Sequence, residues 1–441
     1  MRRWLPGLVA LALWLQAAPV AAQSVEQTAA AGEGRRVEAV RVVGLTRTRV
    51  WVVERELSFG AGDTLTREAL GASVRRLRNL RLFAEVEPHV TEGEAGGVVV
   101  ELALVEKWTL LPIVRFGGGG GVSYLVLGLY DRNSFGTGVE LGGQYDRLAG
   151  VSAGSVWVRH PHVFGTPLMV GQDLETSARL RTVVDRAGAP EGVFILRRSV
   201  AETILEWTFD DAHLLALHLF AEHDAADDGA LTSAQRAMNT ASGFGAPSGG
   251  ALGRAMLRGT WGRLDYDNFR IRGARLVVDY QVALGLTAHG LDHQRGQAEV
   301  QAYATLPLDV VVGTRLGLGV TDARQLSEAF FVGGLENVRG LADGRFHGRG
   351  FWQVSAEGRL PWVKASWLTV QQTVFVDAGD ANAPSALINA SEVPGVSAGT
   401  GLLLTSPRLA RAGFRLEYAR ALLPDADNGV AFGARAFYDL L

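Results

Sequence analysis

Two copies of Gly-Val-Ser-Ala-Gly, at Gly150–Gly154 and Gly395–Gly399, match the G-x-S-x-G spacing of a nucleophile elbow. Such an elbow lifts its serine on a strand-to-helix turn and depends on the helix that follows. Both copies here lead instead into alternating stretches, Ser155–Arg159 and Gly401–Leu404, so hydrolase chemistry is not expected. His160 and His162 flank Pro161 in a turn, while His213 and His218 lie five apart and so on opposite faces of a strand. They read as solvated or interfacial residues, not metal ligands. With no cysteine in the chain, disulfides, thiolate catalysis and Cys-ligated zinc are all removed. One pair of carboxylates, Glu357 and Asp377, could be imagined as a general acid and base.

The elements around those carboxylates are strands. Trp352, Val354, Ala356 and Leu360 alternate with Gln353, Ser355, Glu357 and Arg359, and Val370, Val374 and Val376 alternate with Gln371, Thr373 and Asp377. Period two gives each strand one apolar and one polar face, and both carboxylates fall on the polar one. Just before them, the 28 residues from Ala323 to Gly350 are too long for a hairpin turn and are rich in Gly and Arg. A loop of that length in a compact domain is functional or disordered.

Sixteen alternating segments fit between Thr109 and Leu441, the first starting near Leu110 and the last near Val430. The expected fold is mainly β, a sixteen-stranded transmembrane antiparallel barrel over residues 108–441. Connections after even strands read as short, for example Phe209–Asp211 and Pro361–Ser366. Those after odd strands read as long, for example His223–Gly253, Ala323–Arg349 and Gly379–Gly395. Pro161, Pro307, Pro361 and Pro407 fall at even strand ends, where a missing N–H is tolerated. The Ala/Gly/Ser-rich stretch His223–Gly253 reads as a mobile extracellular loop. The first segment contains Pro112 and the five glycines Gly117–Gly121, which suit either a poorly paired strand or a hinge.

Three motifs carry a resemblance. Val338-Arg339-Gly340-Leu341, Ser355-Ala356-Glu357-Gly358-Arg359-Leu360-Pro361 and Phe375-Val376-Asp377-Ala378-Gly379 stand in order. Together they resemble the loop and strand motifs of the BamA/TamA family of outer-membrane assembly and translocation barrels. The turn Asn133-Ser134-Phe135-Gly136-Thr137-Gly138 resembles that family's N-x-x-G-x-G turn. The resemblance implies that the loop folds back into the lumen and that Arg339 meets Glu357 and Asp377. A guanidinium fork can engage two carboxylates at once and would keep both ionised, the opposite of what a general acid needs. It also implies a weak pairing of first and last strands, forming a lateral gate. The C-terminal stretch Ala436–Leu441 departs from the family in lacking a final aromatic residue, with Phe437 and Tyr438 as substitutes.

Ahead of the barrel, residues 36–107 read as β-α-α-β-β. That order, with Val43-Gly44-Leu45 and Leu82-Phe83-Ala84-Glu85-Val86, resembles a single POTRA domain. Such a module would either receive clients along an exposed sheet edge or orient the barrel. Residues 1–22 read as a signal peptide, with Arg2 and Arg3, an apolar run from Trp4 to Ala18, and Val20-Ala21-Ala22 as the cleavage site. Residues 23–35 read as a polar linker.

The net charge of −3 implies no bulk attraction to nucleic acid, and no enzyme activity, cofactor or metal is expected. The expected place is the bacterial outer membrane, with the POTRA domain in the periplasm. Expected partners are outer-membrane lipids, unfolded outer-membrane protein clients taken at the POTRA strand edge and barrel seam, and accessory assembly proteins. The expected function is insertion or assembly of other outer-membrane proteins by strand capture and seam opening. The alternatives are secretion of a partner protein through the lumen and a passive structural barrel or pore.

Overall fold

A computed structural model describes residues 32–437 apart from 81, 120–121, 149–150, 162, 164–165, 288–290, 335–336, 383–392, 407–412 and 424–429. The expected signal peptide, most of the linker, Pro407 and Tyr438 lie outside the described residues. The chain divides into two units, Met1–Glu106 and Lys107–Leu441.

The first unit runs β1 (Val37–Val43), α1 (Val50–Glu54), α2 (Arg67–Asn79), β2 (Phe83–Glu92) and β3 (Val98–Glu106). Helix α2 starts where the Thr66 hydroxyl accepts the Ala69 N–H at 3.1 Å. Cations at Arg76 and Arg78 sit in its last turn, where they oppose the helix dipole. Its Leu70, Val74 and Leu77 pack with Val52, Val53, Val100 and Leu102 in a single core. The sheet has the order β1-β3-β2, with β1 parallel and β2 antiparallel to the central β3. Both β1 and β2 are therefore edges.

The second unit begins with β4 (Leu110–Gly119), β5 (Val122–Ser134), β6 (Val139–Leu148), β7 (Val151–His160), β8 (Leu168–Val184), β9 (Pro190–Asp210) and β10 (His213–Ala226). Helix α3 (Ser233–Ser242) follows, then β11 (Gly250–Asp267), β12 (Arg270–Gly285), β13 (His293–Thr305) and β14 (Val311–Thr321). A short hairpin of β15 (Phe330–Val332) and β16 (Phe346–Gly348) precedes β17 (Gly350–Lys364), β18 (Thr369–Asn382), β19 (Gly395–Thr405), β20 (Gly413–Leu423) and β21 (Val430–Phe437). All but β15 and β16 close into one antiparallel barrel of sixteen strands. Closure pairs most backbone groups with a neighbouring strand, as hydrocarbon demands, and leaves the shortest ladder between β4 and β21.

The alternation has the sense of a membrane barrel. Leu215, Leu217 and Leu219 on β10, Leu316, Leu318 and Val320 on β14, and Val374 and Val376 on β18 face outward and are exposed. Between or beside them in sequence, His218, Thr321, Thr373 and Asp377 are buried inside. Apolar residues out and polar residues in is the inverse of a soluble protein. Exposed Trp207, Phe209, Trp362 and Trp367 lie beside the turns after β9 and β17, in the manner of an aromatic girdle. No described helix is long and apolar enough to cross a membrane.

Several expectations need correction. The long–short alternation of connections fails early, because β5 starts three residues after β4 ends, β7 three after β6, and β9 six after β8. Strands β8 and β9 have grown to 17 and 21 residues, well past the span of a bilayer, and absorb what would have been loop. The stretch His223–Gly253 is not simply a loop. It extends β10, then forms α3, whose Thr232 and Gln235 complete a capping box. Nor does Pro361 end its strand: β17 continues to Lys364 through a register shift between Pro361 and Val363, where a bulge tolerates the missing donor.

Candidate functional site

The loop between β14 and β17 lies folded on its own apolar residues. Val338 and Leu341 are buried with Val332, Phe346, Ala381 and Ala421, so the hairpin β15–β16 and the Val338–Leu341 turn share one small core. The wall has made room for them. Gly379 and Gly395 are register partners on β18 and β19. A Cβ on Gly379 would approach Val338 to 3.0 Å, and one on Gly395 would come within contact-breaking distance of Leu341. Gly340 has φ +93°, and a Cβ there would meet the Arg420–Ala421 backbone of β20 at 3.0 Å. Only glycine fits this turn without strain.

That turn presents Arg339 to the wall. Its Nε and Nη2 donate to the two oxygens of Asp377 at 2.7 and 2.8 Å, a bidentate fork. Nη1 donates to Glu357 at 3.1 Å and to Glu417 at 2.6 Å, and Nη2 also donates to the Ser355 hydroxyl at 3.2 Å. All five guanidinium N–H donors are thereby used. The Arg339 backbone N–H adds a bond to Asp377 at 3.1 Å, and the guanidinium carbon lies 3.4 Å from the centre of the Phe375 ring. The wall balances its own charge: Arg415 donates to Glu357 at 2.7 Å and to Glu417 at 3.0 Å, and Arg359 donates to Glu357 at 2.8 Å. Three guanidiniums meet three carboxylates, and Asp377 is fully buried.

The structure therefore brings Val338, Arg339, Gly340, Leu341, Glu357 and Asp377 together. It does not bring the Asn133–Gly138 turn motif there. Asn133, Gly136 and Gly138 form the β5–β6 turn, in which the Asn133 carbonyl oxygen of the side chain accepts the Gly138 N–H at 2.8 Å. Gly136 and Gly138 take φ of +71° and +72° there, so this motif is turn chemistry. Sequence reasoning missed Glu417, Arg415, Ser355 and Phe375. The first two stand at alternate positions of β20 and shared the polar parity, but no motif singled them out.

The other chemical candidates are placed as follows. Val151–Gly154 lies within β7 and Gly395–Gly399 within β19, so neither serine stands at a strand-to-helix turn. His213 is exposed beside Asp210 at 2.8 Å. His218 departs from the expected solvated or interfacial position. It is buried on the inner face of β10, 2.6 Å from Glu202, because the odd-numbered leucines of β10 take the outer face. Glu328, also unforeseen, is buried within the same loop as Arg339.

Comparison with known proteins agrees with this architecture. Residues 232–431 match the Omp85 superfamily domain. Over 166 residues the chain is 28% identical to a putative outer membrane protein assembly factor of Treponema pallidum, a match covering 36% of this chain and only 20% of that protein. The fold is similar to that of BamA from Haemophilus ducreyi lacking POTRA domains 1–3, with a TM-score of 0.55 at 17% identity over 92% of this chain and 85% of that one. It is also similar to CdiB from Escherichia coli, with a TM-score of 0.63 at 15% identity over 92% of this chain and 76% of that one.

Proposed function

We propose that the chain is a barrel of the Omp85 superfamily, of the BamA/TamA type, and that it assists the insertion and assembly of other outer-membrane proteins. The observation that carries this reading is the seam. Strand β21 pairs with β4 only from Arg115↔Arg435 to Gly118↔Phe432. Its pairing with β20 runs from Gly413↔Phe437 to Arg420↔Val430, and β4 pairs with β5 from Leu110↔Asp131 to Gly119↔Val122. A ladder that short, made partly of glycine, has few backbone bonds to lose on opening and no packed side chains on its glycine positions. The unpaired groups on either strand can then accept a client strand, which needs backbone donors and acceptors but no sequence code.

In this reading the N-terminal unit serves as a POTRA domain in the periplasm and offers an edge of its three-stranded sheet to unfolded clients. The Arg339 clamp holds the loop against β17, β18 and β20 and so keeps one side of the barrel rigid while the seam opens. The work is done by strand exchange, with no cofactor and no bond-breaking chemistry. Lipids of the outer membrane, client proteins and accessory assembly proteins are the partners. The name of the Treponema relative supports assembly, and the likeness to CdiB supports the barrel fold that assembly and secretion would share.

Reconstitution tests this. The purified chain in liposomes should speed the folding of an added barrel client, and removal of residues 36–106 should abolish the gain. Steady ion conductance with no acceleration of any client would instead favour secretion of a partner protein, or a passive pore.

A further inference from the structure

The loop that carries Arg339 is also held at its other limb, by a clamp with the charges exchanged. Here the loop supplies the anion. Glu328 ends a short 3-10 turn, Leu326–Glu328, just before β15 and is 2% exposed. Arg198 of β9 donates to it at 2.6 Å, and both terminal nitrogens of Arg254 of β11 lie 3.3 Å from its second oxygen. His293 of β13 stands 3.4 Å from that same oxygen, with its other ring nitrogen donating to the Leu291 carbonyl at 2.9 Å. The wall again organises itself around the incoming charge. Arg198 forks onto Asp224 at 2.9 and 2.8 Å, and Arg254 reaches Glu222 at 3.0 Å, both acids being on β10.

An aromatic contact accompanies the ion pairs, as Phe375 does under Arg339. Phe330, two residues on, lies with its ring centre 3.8 Å from the guanidinium carbon of Arg295 on β13. It also packs on Phe351 of β17 at 4.5 Å. Gly319 of β14 is the cleared position, since a Cβ there would stand 2.7 Å from Phe351 and 2.9 Å from Phe330. A buried carboxylate is costly unless paired, and these partners come from strands on the far side of β14 from the Arg339 wall. Among the described residues the two clamps share no side chain.

We propose that Glu328, backed by Phe330, is a second positioning anchor that fixes the N-terminal limb of the loop to the β9–β13 wall independently of Arg339. The loop is then hinged, not pinned at a single point. Loosening at β17–β20, the side nearer the seam, releases the Val338–Leu341 turn while the limb at Glu328 stays in the lumen. This holds whether the barrel assembles or secretes its clients, because it concerns only how the loop is tethered.

The chain has no cysteine, so a single introduced one reports without interference. Spin labels at Ser327→Cys, beside the Glu328 anchor, and at Asn337→Cys, beside Arg339, would be read in the full chain refolded in detergent. Arg339→Ala should raise the mobile fraction severalfold at position 337 and leave 327 unchanged. Glu328→Gln should do the reverse. If Glu328→Gln does not fold, Phe330→Leu should mobilise the label at 327 to a smaller extent with 337 unchanged. Equal mobilisation of both labels by Arg339→Ala, or an unmoved label at 327 in the Glu328 and Phe330 variants, would overturn the two-anchor account.

Discussion

Arg339 and Glu328 hold one loop to two walls, and the difference lies in who carries which charge. At Arg339 the loop brings a cation to a wall whose central acid, Asp377, is fully buried, and the guanidinium spends every donor it has. At Glu328 the loop brings an anion to arginines that keep other carboxylates when it leaves. Arg339 is thus the hub of its cluster, whereas Glu328 is one spoke of a wall that stays largely satisfied. Opposite polarity also gives register. Were the loop turned end for end, each charged group would face its own sign, a several-kcal/mol penalty of the kind that suppresses wrong pairings.

The comparison ranks the expected losses. Arg339→Ala leaves three carboxylates short of a partner and should lower stability by about 3–5 kcal/mol, seen as a reduced urea midpoint and lost heat-resistance of the folded band on a gel. Glu328→Gln keeps the shape and removes one charge, for about 1.5–3 kcal/mol by the same measurement. The double variant should lose the sum of the two within about 0.5 kcal/mol, since the clamps share no partner. A large coupling would mean one clamp, not two. Gly340→Ala should cost about 1–3 kcal/mol through its positive φ alone. A change of comparable strain at Glu328, where the backbone is ordinary, should not occur.

The smallest effect lies outside the lumen and shows what burial adds. Asp309, in the β13–β14 turn, accepts from Arg270 at 2.8 Å and from the half-exposed Lys364 at 2.8 Å. The bond from Arg270 is the main cause that holds its carboxyl down at about 2, against an ordinary 3.8. Because the folded value is depressed, this contribution is complete above pH 3.8 and fades as the pH falls toward 2. Lys364→Ala should cost no more than about 1 kcal/mol at neutral pH and less in high salt. A loss as large as that for Glu328 would erase the distinction between buried and rim pairs.

What could be read beforehand followed from local pattern. Period two locates the strands, and parity puts Glu357 and Asp377 on the polar face of theirs. Arg339 was legible only because its motif and those of β17 and β18 stand in order. Glu417 was not, since parity marks a face but names no partner across three strands. Glu328 lies in an irregular turn with no period to betray it. Helix α3 was hidden by composition, although Thr232 and Gln235 spell a capping box that a search for helix starts would have found. His218 shows the same limit, because alternation alone does not say which face is inside.

Under the proposed function, the β4–β21 seam must part for a client to enter. Cysteines at the paired positions Gly117 and Gly433 would lock it when oxidised and free it when reduced. In liposomes, the oxidised protein should fail to accelerate client folding and the reduced protein should recover the rate of the unaltered chain. Equal acceleration from locked and unlocked barrels would contradict the account.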